Sequence, residues 1–171
     1  TEFYLGNKEG KRYNREDTIM TIKRFVASKD NTITNAFKAG LGSRGTNGNM
    51  GSSDIVEVFS IFGQSTTSSL EQARVLIQFP VDRILEARNA GEIPESGSVT
   101  FKLKLFNAEH SGTTPKSFTL SAQPLLQPWS EGVGLDMENY SDLDASNWLS
   151  ASVGVPWNSG SGGVVPQADL L

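Results

Sequence analysis

A single histidine in 171 residues means that any hydrolytic triad in this chain must route its proton through His110. His110 follows Asn107-Ala108-Glu109, where a strand-like alternation gives way to a turn, and histidines in such positions are usually structural or merely exposed. No Gly-x-Ser-x-Gly elbow offers a nucleophile, and no Gly-x-x-x-x-Gly-Lys-Ser/Thr loop offers a phosphate cradle. Gly40-Leu41-Gly42-Ser43-Arg44-Gly45 satisfies the letters of a dinucleotide fingerprint, but Thr46-Asn47-Gly48-Asn49 follows where a helix must open. Asp136, Glu138, Asp142 and Asp144 form the one dense group of carboxylates. Their hard oxygens suit calcium in type, yet the spacing fits no calcium loop and singles out no acid and base for glycoside cleavage, so they read as a solvated acidic loop. Without cysteine there is no disulfide and no thiolate metal site. The expectation is a chain with no catalytic residue, no metal and no cofactor.

Trp129, Trp148 and Trp157 are the other residues with chemical reach. Aromatic faces hold sugar rings, but in a small β domain large aromatics more often anchor a core or an interface. The first role keeps a carbohydrate-binding module, recognising a polysaccharide or cell-surface glycan, as the alternative function. Nucleic acid is not an expected partner, because 15 basic residues stand against 19 acidic ones and binding to phosphate needs clustered cations. Charge is unevenly spread: residues 1 to 45 hold nine Lys or Arg and five acids, whereas residues 129 to 171 hold six acids and no base. Such asymmetry can steer copies head to tail. No window approaches the roughly 18 apolar residues of a membrane span, and the first twenty residues lack a signal-peptide core, so no membrane association is expected.

The elements that would carry these residues are mostly short strands. Residues 1–21 are polar and lack periodicity; they read as an N-terminal arm whose anchors are Phe3, Tyr4 and Leu5. Strand patterns follow at Ile22 to Ala27, at Asp54 to Phe62 with apolar residues on both faces, at Ala73 to Phe79, at Ser98 to Asn107 and at Phe118 to Ala122. In Ser98 to Asn107 the alternation predicts that Val99, Phe101, Leu103 and Leu105 face a core. Gly40 to Ser53, with five glycines and two asparagines, must be irregular backbone. Val81, Ile84, Leu85 and Arg88 fall at helical spacing, with Gly91 placed to end the helix and Pro94 beyond it. Many loop-punctuated strands and one short helix predict an all-β fold, an antiparallel β-sandwich of the jelly-roll type.

Several segments, taken in order, resemble the DNRLRE-type β-sandwich domain: Ala27-Ser28-Lys29-Asp30-Asn31-Thr32-Ile33, Asn49-Met50-Gly51-Ser52-Ser53, Ile55-Val56-Glu57-Val58, Arg74-Val75-Leu76-Ile77-Gln78-Phe79, Val99 to Leu105, and Trp129-Ser130-Glu131-Gly132. Together they run through about 130 residues. The resemblance implies structural roles only: Arg74 at a partly covered position near an acid, Trp129 plugging one end of the sandwich, Glu131 turning back to bond loop backbone. In wording, Arg24 to Phe37 and Asp54 to Gln64 are similar to virion structural proteins of tailed bacteriophages that infect marine cyanobacteria. That implies a virion protein made in the host cytoplasm and repeated on capsid, neck or tail, with copies of itself and other virion proteins as partners.

The resulting division is an arm at 1–21, a sandwich at 22–157 and a tail at 158–171. A domain of this type usually has further strands after Trp157, so an open sheet edge is expected there. The apolar tail residues Val164, Val165, Leu170 and Leu171 are the candidates, with the arm, for pairing with a neighbouring chain.

Overall fold

The structure, a computed structural model, describes residues 22–61, 70–94, 97, 99–109 and 117–158, together with the backbone of residues 2–7 and 62. Apart from one short helix, its regular elements are strands, and their pairings are antiparallel. The architecture is therefore all-β in class. The residues divide into two compact units, 1–28 with 77–109 and 29–76 with 110–171. Each is discontinuous in sequence, because the chain leaves the first unit after Ser28 and re-enters it at Ile77, within a strand. A reading that follows composition along the chain meets no linker at those points and takes 22–157 as one body.

The first unit contains the sheet β2-β1-β6, with β1 (Glu2–Asn7) in the middle between β2 (Lys23–Val26) and β6 (Val99–Lys104). Thus Phe3, Tyr4 and Leu5, expected as anchors of an arm, lie on a strand whose backbone pairs on both sides: Phe3 opposite Phe25 and Leu103, Leu5 opposite Lys23 and Phe101. Helix α1 (Val81–Asn89) starts after Pro80 and ends as its sequence predicts. Gly91 takes φ +73°, its N–H donates to Arg88 O, and Glu92 N–H donates to Ala87 O, the two bonds of a Schellman cap. The apolar stripe differs from the expected one. Val81 and Leu85 are exposed, and the helix packs through Ile84 and Ala87 against Phe25, Ile93 and Val99. This cluster takes only Val99 from β6. Phe101, Leu103 and Leu105, predicted to face a core, are 48%, 41% and 47% exposed.

The second unit contains β3 (Lys29–Thr34), β4 (Ser60–Phe62), the greater part of β5 (Leu70–Gln78) and the hairpin β7 (Ser150–Ser152) with β8 (Val155–Pro156). Its sheet runs β3-β5-β4, with Ser60 opposite Gln72 and Phe62 opposite Leu70. Its core joins Ile33, Leu76, Trp129, Trp148, Ala151 and Trp157, with Leu125 against it. Two expected strands shrink or vanish. From Asp54 to Phe62 only the last three residues pair, leaving Ile55 and Val58 exposed, and residues 118–122 carry no ladder, with Phe118 and Leu120 exposed. Apolar alternation reports a side chain's tendency to leave water, not whether a partner strand or layer is there to receive it.

Candidate functional site

The polar residues of the second unit converge on Asn49, which is fully buried. Its Nδ2 donates to Glu131 O at 2.8 Å and Ser146 O at 2.8 Å, while its Oδ1 accepts from Gly51 N–H at 3.0 Å and Gly134 N–H at 2.9 Å. Two donors and two acceptor positions are all used, the full capacity of an amide side chain. Beside it, Asn31 Oδ1 accepts from Met50 N–H at 2.8 Å and its Nδ2 reaches both the carbonyl and the hydroxyl of Ser146. A third asparagine, Asn147, caps Leu149 and Ser150 N–H through Oδ1, and its carbonyl accepts from Trp157 Nε1 at 2.8 Å. Glycine is required where these loops cross: a Cβ on Gly134 would sit 1.9 Å from Asn49 O, and one on Gly51 2.1 Å from Glu131 O. The irregular loop is thus held in a satisfied polar interior from Gly45 to Gly51, while Gly40 to Ser43 lie exposed.

Glu131 joins this cluster to β3, its Oε1 accepting from Asp30 N–H at 2.8 Å. Partial burial and the nearby Glu131 charge push the Asp30 carboxyl above its ordinary value. Trp129 is buried in the core, and its carbonyl accepts from Lys29 Nζ at 3.5 Å. Arg74, on β5, is half-buried with its guanidinium 4.8 Å from the centroid of the Trp148 ring, and burial lowers its pKa. The three residues implied by the resemblance therefore lie in one neighbourhood, Arg74 and Trp129 through the tryptophan core and Glu131 through Asp30 and Asn49. None of the three tryptophans is more than 7% exposed, so none presents a face on which a sugar ring could stack.

The acidic segment holds its own backbone. Asp136 Oδ1 accepts from the N–H groups of Glu138, Asn139 and Tyr140; the bond from Asn139 in particular, with those from Glu138 and Tyr140 and the Lys38 charge, keeps the Asp136 carboxyl below its ordinary value. Glu138 Oε1 accepts from Ala39 N–H at 2.6 Å. Asp142 accepts from Val133 N–H and Asp144 N–H. Among the described residues no three metal-ligating side chains gather at one point. Between this segment and the sheet lies a concave surface of about 270 Å³, with Phe37, Phe59, Ile61 and Met137 as apolar wall and Lys38, Asp136 and Glu138 as charged wall. That volume lies at the lower edge of the roughly 300–1,000 Å³ typical of small-molecule sites.

His110 and the tail residues Val164, Val165, Leu170 and Leu171 lie outside the described residues. No helix among the described residues is long and apolar enough to cross a membrane. No protein-family model, curated protein or solved structure gives a significant match to this chain. The sequence assigns no buried role to Asn31, Asn49, Ser146 or Asn147, because a buried polar side chain has the same letter as an exposed one. The Asn-x-Gly wording at Asn49 to Gly51 was the available signal.

Proposed function

We propose that this protein is a non-enzymatic structural subunit that works through its surfaces, assembling in multiple copies in the virion of a tailed bacteriophage, on capsid, neck or tail. The proposed scaffold is a β-sandwich of the jelly-roll, DNRLRE-like type. The observation that carries the reading is the contrast between how the polar and apolar groups are used. Carboxylates and amides of the second unit are committed to its own backbone N–H groups and carbonyls. Large apolar side chains instead stand on the surface: Phe101, Leu103, Leu105 and Phe106 in one run, Val133 and Leu135 in another. Single exposed hydrophobes are ordinary, but contiguous runs mark surfaces that another molecule covers. The virion itself is supported by the wording of Arg24 to Phe37 and Asp54 to Gln64.

Gold-labelled antibody against the purified protein, applied to particles from a lysed infected culture, tests the assignment. Regularly spaced label on capsid, neck or tail is the expected result. Label absent from particles, together with saturable binding of the monomer on a polysaccharide array, would replace it with the carbohydrate-binding alternative.

A further inference from the structure

We infer that the acidic-walled cavity of the second unit is a socket for β6 of a second copy of this chain, which seats Phe101 in it and makes a head-to-tail contact. The inference rests on the assembly reading proposed above and names its partner surface. Cavity size argues for a side chain: about 270 Å³ is small for a cofactor or sugar but ample for one aromatic ring. Chemistry argues for an apolar one, since Phe37, Phe59 and Ile61 line it. Charge argues for a basic flank, because Asp136 and Glu138 outnumber Lys38 in the same wall. β6 offers both, on its two faces: Phe101 is 48% exposed on one, and Lys102 and Lys104 are exposed at the alternating positions that face the other way. Among the described residues, β6 stands at one end of its sheet and β4, which carries Ile61, at one end of its own. The formal charges of the two units point the same way. The unit containing β6 has ten Lys or Arg against nine acids, a charge of +1, and the unit containing the cavity has five against ten, a charge of −5. A knob on one surface and a socket on another make the contact heterologous, so it propagates into a ring or filament instead of closing as a twofold dimer.

The test uses the full chain and sedimentation velocity over a concentration series. Phe101→Glu removes the knob and Ile61→Lys the socket; circular dichroism verifies that each is folded. Each variant alone is expected to associate at least ten-fold more weakly than the unaltered protein. An equimolar mixture is expected to form a dimer that grows no further, since one intact knob meets one intact socket. The double variant Lys102→Glu, Lys104→Glu is expected to weaken association by a smaller factor that shrinks in high salt; it decides the question if Phe101→Glu does not fold. Folded variants that assemble like the unaltered protein, or a mixture that stays monomeric, overturn this contact and leave the assembly reading standing. An unaltered protein that stays monomeric throughout overturns both.

Discussion

The two units of this chain solve the problem of holding short strands together in different ways. In the 29–76/110–171 unit, three tryptophans and Ile33 pack beside asparagines whose hydrogen-bonding capacity is met by loop backbone. In the 1–28/77–109 unit, the buried residues among those described are Phe25, Ala87 and Ile93, helped by Ile84 and Val99, while Phe101 and Leu103 of β6 are exposed. One unit joins a tryptophan core to a buried amide network that holds its loops; the other has a small apolar core beside its helix, and both leave large apolar side chains exposed. In the assembly proposed above, the unit with the amide network bears the socket and the unit with the smaller core bears the strand that enters it.

The largest expected effect comes from the tryptophan core of the 29–76/110–171 unit. Trp148→Ala removes a ring that packs with the other tryptophans and carries the Arg74 guanidinium, and it should cost about 3–5 kcal/mol in urea unfolding. Next is Asn49→Ala, which removes the acceptor of Gly51 N–H and Gly134 N–H and the amide donor to Glu131 O, while Ser146 O keeps Asn31 Nδ2; a loss of about 3 kcal/mol is expected. An equal loss from alanine at the exposed Asn139 would erase the distinction between buried network and ordinary loop.

Acid should act on the same unit. The Asp136 carboxyl sits below its ordinary value in the folded protein, so the stability it contributes is fully present above the ordinary carboxylate pKa and is lost as pH falls through the depressed one. Amide shifts of Glu138, Asn139 and Tyr140 should therefore stay constant from neutral pH to about pH 4 and move only below it. Asp30 has the opposite sign: its raised value means that ionisation opposes folding, and protonation through that raised pKa, as pH falls, relieves the cost. Glu131→Gln should bring Asp30 back toward its ordinary value in a carboxyl NMR titration while keeping an oxygen for Asp30 N–H, at a cost of roughly 1 kcal/mol. The smallest effect is expected at β6, where Phe101→Glu should change stability by about 0.5 kcal/mol or less in the monomer.

Much of this was legible in the residues. The alternation from Ala73 to Phe79 lies within β5 apart from its last residue, and Gly91 marks the end of α1, because local geometry and local sequence agree there. The segments Asp30-Asn31, Asn49-Met50-Gly51 and Glu131-Gly132, far apart in sequence, were singled out by wording and meet around one amide. Burial was less legible. Val99 to Leu105 has the pattern of a strand with one core face, yet only Val99 joins the core, since a period-2 pattern records what a face needs and not what lies against it. The division at Ser28 and Ile77 was hidden because one point is a two-residue gap between β2 and β3 and the other lies inside β5, and the Asn49 network because a satisfied amide and a solvated one are the same letter.

Sedimentation equilibrium of the intact 18.5 kDa chain, from low micromolar to high concentration at physiological salt, addresses the central claim that the protein works through contacts between copies. The account predicts a weight-average mass that climbs with concentration through multiples of the monomer. A mass fixed at one chain across the whole range would contradict it.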